Sequence, residues 1–326
     1  MCWPSPAPSR RGSPPPEVVD SGERGFPAGA AIDAALLRRR MSRVGTTYAA
    51  SAKLEEEVGA RMLERLDYVK LAPACIVDAG SGPAREAPGL LRRYPDASLL
   101  AVDFSEPLLR ATRPGGLAAK LGRLFSGPRV MPVCANLEAL PLATASAQLL
   151  WSNMALHWMR DPGAALAEFH RVLAPGGLLM FSTLGPDTLK ELRGAFAQAD
   201  ARAHVNTFVD MHDLGDQLGA AGFSAPVMDA ETITLTYADA DGLFRDLRGS
   251  GQANVLEGRP RGLYGRTRWQ RMRRSLDACM RDGRLPATAE VVYGHAWREA
   301  PRRTTDGHAI VKLERLNRTA RKTPGG

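Results

Sequence analysis

Residues 74–84, ACIVDAGSGPA, decide the fold because they join a buried strand to a glycine-rich turn. The apolar run ends in Asp78, and the turn follows at once. Glycine has no Cβ, so the backbone of such a turn can approach a ligand closely. A turn of this kind, at the carboxyl end of a parallel strand, is typical of sites for nucleotide-like ligands. The residues expected at that site are Asp78, Gly80, Ser81, Gly82 and Ala84.

A second apolar run, SLLAVDF (98–104), also ends in an acid, Asp103. It follows the glycines by about 20 residues, the spacing at which an acid on the next strand meets the ribose hydroxyls of a nucleotide. Asp103 could instead cap the helix that follows it. We expect the ribose contact, because the distance from Asp78 along the chain fits it.

Strands and helices alternate along the rest of the folded region, which predicts right-handed crossovers and a mostly parallel sheet. The predicted strands are 75–78, 98–103, 130–135, 147–153, 177–184, 227–237 and 291–297. The predicted helices are 31–70, 85–93, one capped by Ser105, 161–174 ended by Pro175-Gly176-Gly177, and 211–223 capped by Gly222. We therefore predict an α/β fold with a mostly parallel seven-stranded sheet, an antiparallel last strand, and a helical insertion at 239–283. The insertion should cover the carboxyl end of the sheet, where ligands bind.

The composition of the 326 residues, 44% of them hydrophobic, supports a sizeable core. No apolar stretch approaches the length that spans a bilayer. We predict a disordered leader over residues 1–30, a folded domain over 31–300, and a basic, disordered tail over 301–326. The four cysteines are scattered without metal-ligand spacing, which argues against a zinc site and a disulfide framework. A reducing cytoplasm fits that pattern.

The net charge of +8 is unevenly distributed along the chain. From Arg259 to the end there are 17 Lys/Arg and 6 Asp/Glu, so the remainder is slightly acidic. A basic segment attracts acidic partners, whether an acidic protein or nucleic acid. For residues 302–326 a solvated tail is the preferred interpretation.

Five elements together resemble the motifs of class I S-adenosylmethionine methyltransferases. They are the glycine turn with its short G-x-G-x-A spacing, Asp103, NLEALP (136–141), WSNMALHW (151–158) and LAPGG (173–177). The resemblance implies a Rossmann-like class I methyltransferase fold with S-adenosylmethionine as the cofactor and no metal. Beyond the glycine turn, it assigns cofactor contacts to Asp103, Phe104, Asn136, Leu137 and Asn153.

The chain departs from known patterns at three positions, two of them in these motifs and the third, Ala49, in the narrower family described below. Asn136 replaces the usual acid that contacts the adenine amino group, and its amide oxygen can still accept that hydrogen bond without charge assistance. Gln148 replaces a common acid at the start of the fourth strand, where the acid mainly aids turn geometry. Ala49 replaces the usual Asp after Tyr48.

Four further segments resemble a narrower family, the malonyl-[acyl-carrier-protein] O-methyltransferases of biotin synthesis. They are residues 181–216, 233–254, 258–266 and 291–297, and the resemblance runs from residue 37 to residue 297. It implies methyl transfer to the free carboxylate of a malonyl group on an acyl carrier protein, by a monomer that binds neither nucleic acid nor membrane. A carboxylate is already an anion at neutral pH, so no strong general base is needed.

Arginines are concentrated in the predicted insertion, and one of them should hold the malonyl carboxylate. Arg248 and Arg261 are the first candidates, with Arg259 a further one, and the other arginines would steer the carrier protein. No catalytic residue is assigned firmly. The candidates are Tyr48, His157 and His212, and an orienting or packing role is the alternative for His157.

Four other functions stay open at this point. The protein could methylate another carboxylate or small molecule, or it could resemble the related proteins that hydroxylate an arginine during respiratory-complex assembly. The basic C-terminal region leaves an RNA-binding or RNA-methylating protein open, although no RNA-binding module is evident. A non-catalytic scaffold of the same fold is disfavoured by the intact Gly80, Gly82 and Asp103.

Overall fold

The computed structural model describes residues 31–45, 47–112 and 129–299. The predicted leader, the predicted tail and the connection at 113–128 lie outside these residues. The strands are β1 (Cys75–Ala79), β2 (Ser98–Asp103), β3 (Val130–Cys134), β4 (Ala147–Ser152), β5 (Leu173–Leu184), β6 (Ser224–Tyr237) and β7 (Leu285–Arg298). The helices are α1 (Ala34–Met41), α2 (Tyr48–Ser51), α3 (Lys53–Arg65), α4 (Ala87–Arg93), α5 (Glu106–Arg110), α6 (Pro162–Val172), α7 (Lys190–Ala197), α8 (Met211–Ala220), α9 (Ala240–Gly249) and α10 (Arg266–Asp277).

The seven strands form one sheet in the order β3-β2-β1-β4-β5-β7-β6. β1 to β5 pair in parallel, and β7 runs antiparallel to both of its neighbours. The predicted fold class is therefore confirmed, including the antiparallel last strand. The strand order reverses between β1 and β4, and ligands of open α/β sheets bind at the carboxyl ends of the strands on either side of such a point.

Helices cover both faces of the sheet, which explains why the central strands read as continuous apolar runs. In β1, Ile76 packs into one apolar cluster and Val77 into the other. The first cluster includes Val58 and Met62 of α3, as the helical spacing predicted, and the second includes Phe169 of α6. Burying each such large side chain contributes about 1.5–3 kcal/mol to the free energy of unfolding. The rigid strands thus hold their carboxyl ends in fixed positions.

Two predicted helices have wrong boundaries for local reasons. The helix predicted at 31–70 is three helices, because α1 ends at Met41 and Ala52 leaves the helical conformation between α2 and α3. α6 ends at Val172, not at Pro175-Gly176-Gly177, because Leu173 is already extended and starts β5. A register shift between Ala147 and Leu149 lets β4 accommodate these extra residues of β5.

The last strand is also longer than predicted. β7 begins at Leu285, not at residue 291, because it pairs with β6 as far as Tyr237. The 47 residues between these strands include α9 and α10, which pack against α7 through Leu243, Met272 and Leu276. Within the described ranges, no helix is long and apolar enough to cross a membrane.

Candidate active site

The turn after β1 has the backbone conformation that its glycines predict. Gly80 and Gly82 have φ values of +78° and +52°, in the left-handed region that favours glycine. The backbone N–H groups of Gly80 and Ser81 donate to the carbonyl of Val102, at 2.8 and 3.0 Å. A Cβ at residue 80 would lie 2.2 Å from the Cβ of Ala155, so packing also requires glycine there. The turn is therefore fixed against the ends of β2 and β4.

Asp103 holds the glycine turn and the start of the next helix together. Its Oδ2 accepts the N–H of Gly82 at 2.9 Å, and its Oδ1 accepts the N–H of Ser105 at 2.7 Å. Ser105 stands at the N-cap of α5 as predicted, but its hydroxyl caps nothing, since it is buried without a partner in the described structure. Each carboxylate oxygen accepts more than one hydrogen bond, so Asp103 keeps acceptor capacity on both oxygens.

Three carboxyl groups surround the turn: Asp78 and Asp103 are buried, and Glu86 is partly buried. Burial raises the pKa of Asp78 well above its usual value, and the negative charges of Glu86 and Asp103 raise it further. Burial likewise raises the pKa of Glu86 and of Asp103. Oδ2 of Asp78 is buried and has no hydrogen-bond partner among the described residues. A cation placed here would stabilise all three carboxylates.

Tyr48 and Asn153 complete the wall around the turn. The Tyr48 ring and hydroxyl lie 3.9 Å from the point where a Cβ of Gly82 would be. Burial, followed by the negative charges of Glu55 and Glu86, raises the pKa of Tyr48. Asn153 donates to Oε1 of Glu86 and to the carbonyl of Glu55, both at 2.9 Å. Asn153 therefore positions a carboxylate at the site.

Asn136 and Leu137 lie at the end of β3, beside the same turn. Oδ1 of Asn136 accepts the N–H of Glu138 at 3.1 Å, while the residue itself remains exposed. Leu137 is buried, and its Cδ1 lies 3.7 Å from the Cβ position of Gly80. The structure thus brings these two predicted residues to the edge where β1 and β2 end.

The roof over this edge includes α1, whose part in it was not predicted from the sequence. Residues of α1 and the loop after it pack with Val255 and Leu256 of the segment between α9 and α10, and Tyr48, Phe104 and Trp158 pack against that cluster. The N–H of Asp33 donates to the carbonyl of Val255 at 2.8 Å. The predicted cofactor residue Phe104 thus contacts the roof.

A cavity of about 260 Å³ lies between the insertion, α7 and the end of β5. Its lining is mainly apolar and aromatic, with Leu184, Phe208 and Trp269 among its members, and it includes His157 and Arg248. Both ring nitrogens of His157 are buried without partners in the described structure, and burial lowers the pKa of His157 to about 3. His157 is therefore a neutral imidazole at physiological pH.

The other predicted substrate residues lie elsewhere. Arg259 forms an ion pair with Asp33 at 3.0 Å and donates a hydrogen bond to the carbonyl of Leu256. It therefore links the start of α1 to the segment between α9 and α10. Arg261 is exposed and is not part of the cavity lining. His212 is exposed on α8 and contacts Asp210 at 2.8 Å, also away from the cavity lining.

The sequence interpretation missed Glu55 and Glu86. Glu86 directly follows the glycine turn as the N-cap of α4, and that position was the available signal. Gln148, expected to aid turn geometry, accepts the N–H groups of Ala74 and Cys75 at 3.1 and 2.9 Å. It thereby fixes the start of β1.

Comparisons with known proteins identify the fold and the family. Residues 77–181 match the model of the methyltransferase domain family. The fold is similar to that of the YcgJ protein from Bacillus subtilis, with a TM-score of 0.52 and 14% identity over 76% of this chain and 100% of that one. The fold and the family match define a class I methyltransferase.

Curated relatives define the family more narrowly. The malonyl-[acyl-carrier protein] O-methyltransferase of Gallionella capsiferriformans is 50% identical over 281 residues, 86% of this chain and 96% of that protein. The protein of the same name from Laribacter hongkongensis is 52% identical over 286 residues, again 86% of this chain and 96% of the relative. The chain belongs to the malonyl-[acyl-carrier protein] O-methyltransferase family.

The residues present fit S-adenosylmethionine. The cofactor carries a sulfonium and an ammonium group, and the carboxyl groups of Asp78, Glu86 and Asp103 form an environment that favours a cation. The free acceptor capacity of Asp103 suits the ribose hydroxyls, and the left-handed Gly80 and Gly82 permit close approach of the backbone.

Proposed function

We propose that this protein transfers a methyl group from S-adenosylmethionine to the free carboxylate of a malonyl thioester on an acyl carrier protein, as a step in biotin precursor synthesis. The observation that carries the proposal is the apolar cavity that Trp158 joins to Tyr48 and Phe104, and whose described lining contains one guanidinium, that of Arg248. An apolar chamber with a single cation suits a short acyl chain that ends in a carboxylate.

Arg248 is the residue proposed to bind that carboxylate. Its guanidinium lies 6.0 Å from the centroid of the Phe244 ring, and it has no carboxylate within ion-pair distance in the described chain. A planar guanidinium binds a carboxylate through two parallel hydrogen bonds. Arg259, by contrast, is already paired with Asp33.

His157 is proposed to orient the substrate. With its pKa lowered to about 3, it is not protonated at neutral pH and cannot act as a general acid there. A neutral imidazole still offers one N–H donor and one acceptor, and both ring nitrogens lack protein partners in the described structure. Both nitrogens are closed to solvent in this conformation, so the proposal requires the ring to turn toward the cavity before one of them binds an oxygen of the malonyl thioester.

The reaction needs alignment and a dry site more than proton transfer. S-adenosylmethionine supplies an electrophilic methyl group. The chain supplies Arg248 to place the nucleophilic oxygen, and the roof formed by α1 with Val255 and Leu256 to exclude water. Tyr48 lies between that roof and the glycine turn, and it is proposed to line the cofactor site. Because its pKa is raised, Tyr48 stays protonated there.

The proposal includes a monomer that works in the cytoplasm on a carrier protein and not on nucleic acid or a membrane. The choice of carrier protein is supported by the names of the relatives. The insertion over residues 239–283 acts in this proposal as the cover of the substrate cavity, since it contributes Arg248 and Trp269 to the lining.

Complementation of a biotin-requiring strain that lacks this methyltransferase tests the proposal. The wild-type chain should restore growth without biotin, and an Asp103→Ala variant expressed at the same level should restore it poorly. Failure of the wild-type chain, with soluble protein that binds S-adenosylmethionine, would contradict the assigned substrate.

A further inference from the structure

Helix α10 has two chemically different faces. Its inner face carries Met272 and Leu276, both fully buried, and Trp269, which lines the substrate cavity. Its outer face exposes four arginines, and none of them forms an ion pair in the described part of the chain. These four residues, Arg266, Arg268, Arg271 and Arg274, are called the basic face of α10.

Exposed apolar side chains bracket this helix. Leu263 lies three residues before α10 and is fully exposed, and Met280 lies three residues after it and is 38% exposed. The described residues include only two other exposed large hydrophobic side chains, Tyr68 and Val227. Arginine is enriched at protein–protein interfaces, and Leu263 and Met280 add apolar side chains at the two ends of this face.

An open groove runs beside the basic face, between α7 and α10. Arg271 and Lys190 line it, and at Gly194 and Ala195 α7 presents no side chain and a methyl group, respectively. A Cβ added at Gly194 would meet nothing within 4 Å, so the groove is open at that point. There is room for a partner's helix to approach the arginines.

We propose that the basic face of α10, with Leu263 and Met280, docks the acidic carrier protein that presents the malonyl group. This inference rests on the proposed function. Trp269 lines the cavity from the inner face of the same helix, so a carrier docked on the outer face lies one helix width, about 10 Å, from the cavity. An acidic carrier is complementary to four unpaired arginines.

Two other assignments fit the observations less well. α1 and the loop after it also expose arginines, Arg38, Arg39 and Arg43, but no residue of α1 lines the cavity. Single-stranded RNA needs exposed aromatic rings for base stacking. The exposed apolar residues that bracket α10 are aliphatic, and its only aromatic residue, Trp269, faces the cavity.

Charge reversal with two substrates tests the proposal. A triple variant, Arg268→Glu, Arg271→Glu and Arg274→Glu, is compared with wild type on malonyl-carrier protein and on malonyl-pantetheine, which has no protein part. Loss of complementary rim charge slows association, so KM for malonyl-carrier protein should rise about tenfold or more, and less at high salt. Both kinetic constants for malonyl-pantetheine should stay within about twofold of wild type.

The matched control is Arg38→Glu, Arg39→Glu and Arg43→Glu, which changes the net charge equally. It should leave KM for malonyl-carrier protein near the wild-type value, and an equal rise in both triple variants would overturn the docking assignment. An unchanged KM in the α10 variant would also overturn the docking assignment. So would binding of single-stranded RNA by wild type and by the control variant but not by the α10 variant. If wild type turns over neither thioester, the proposed function is wrong, and this inference is overturned with it.

Discussion

The backbone N–H of Gly82 donates a 2.9 Å hydrogen bond to Oδ2 of Asp103, which joins the glycine turn after β1 to the tip of β2. The other carboxylate oxygen holds the N–H of Ser105, so a single buried acid aligns two loops. The proposed cofactor contact therefore depends on a side chain that the protein already holds in place.

Asp103→Ala should weaken binding of S-adenosylmethionine by about 1–3 kcal/mol, the size of a lost charged hydrogen bond. Isothermal titration calorimetry measures the change. Asp103→Asn is the control, because an amide keeps one acceptor oxygen and should lose less affinity. Unchanged affinity in the alanine variant would show that Asp103 does not contact the ribose.

Asp78→Asn should stabilise the ligand-free protein at neutral pH while weakening its affinity for S-adenosylmethionine. The pKa of Asp78 is raised in the fold, so the native state holds its proton to higher pH than the unfolded state does. Stability therefore falls as the pH rises from the ordinary value of 3.8 through the raised pKa. Thermal unfolding of wild type and variant across this range measures the effect, and the variant's melting temperature should depend less on pH. A lower melting temperature for the variant at neutral pH would contradict the assignment.

His157 should produce no inflection near pH 6.5 in the pH dependence of kcat, since its pKa is lowered to about 3. His157→Gln, which keeps a donor and an acceptor, should retain more activity than His157→Phe. The lost activity should appear as a higher KM for the malonyl substrate.

The lowered pKa of His157 also affects stability. The unfolded state takes up a proton at a higher pH than the native state does, so native stability falls as the pH drops below 6.5. In thermal unfolding, the melting temperature of either variant should fall less at acid pH than that of wild type. Equal activity of the two variants would rule out an orienting role for His157.

Gly80→Ala should destabilise the protein more than Gly176→Ala does. Both glycines have positive φ, +78° and +83°, which costs alanine about 1–2 kcal/mol. Only at Gly80 would the new Cβ also collide with Ala155, and overpacking adds about 1–3 kcal/mol. Urea unfolding compares the two variants. Equal losses would show that the turn does not pack against Ala155 as described.

Arg248→Ala should raise KM for the malonyl substrate by roughly tenfold or more, the effect of losing a hydrogen bond to a charged group. KM for S-adenosylmethionine should change little. Arg261→Ala is the matched control, because Arg261 is exposed outside the cavity lining. A larger effect at Arg261 than at Arg248 would reverse the assignment of the carboxylate contact.

Local sequence signals were sufficient to predict the sheet and the glycine turn. The apolar runs that end in Asp78 and Asp103 report burial on both faces of the sheet, so they predict β1, β2 and the edge where these strands end. Arg248 was found from composition alone, as one of many arginines in the insertion.

Contacts between distant segments could not be predicted in the same way. The roof pairs Ile32 with Leu256, more than 200 residues apart, and no local pattern encodes that bridge. The sequence predicts Arg259 as a substrate residue, because it does not show that Arg259 forms an ion pair with the distant Asp33. The role of Glu86 likewise depends on the hydrogen bond from Asn153, a residue directly after β4.

The most direct test of the central claim is a transfer assay with S-adenosylmethionine labelled in its methyl group and malonyl-carrier protein as acceptor. The account predicts label on the malonyl carboxyl group as an ester that mild base releases as methanol, with no label on acetyl-carrier protein, which lacks the free carboxylate. Binding of the cofactor without any labelled malonyl ester, or labelling of both carriers, would contradict it.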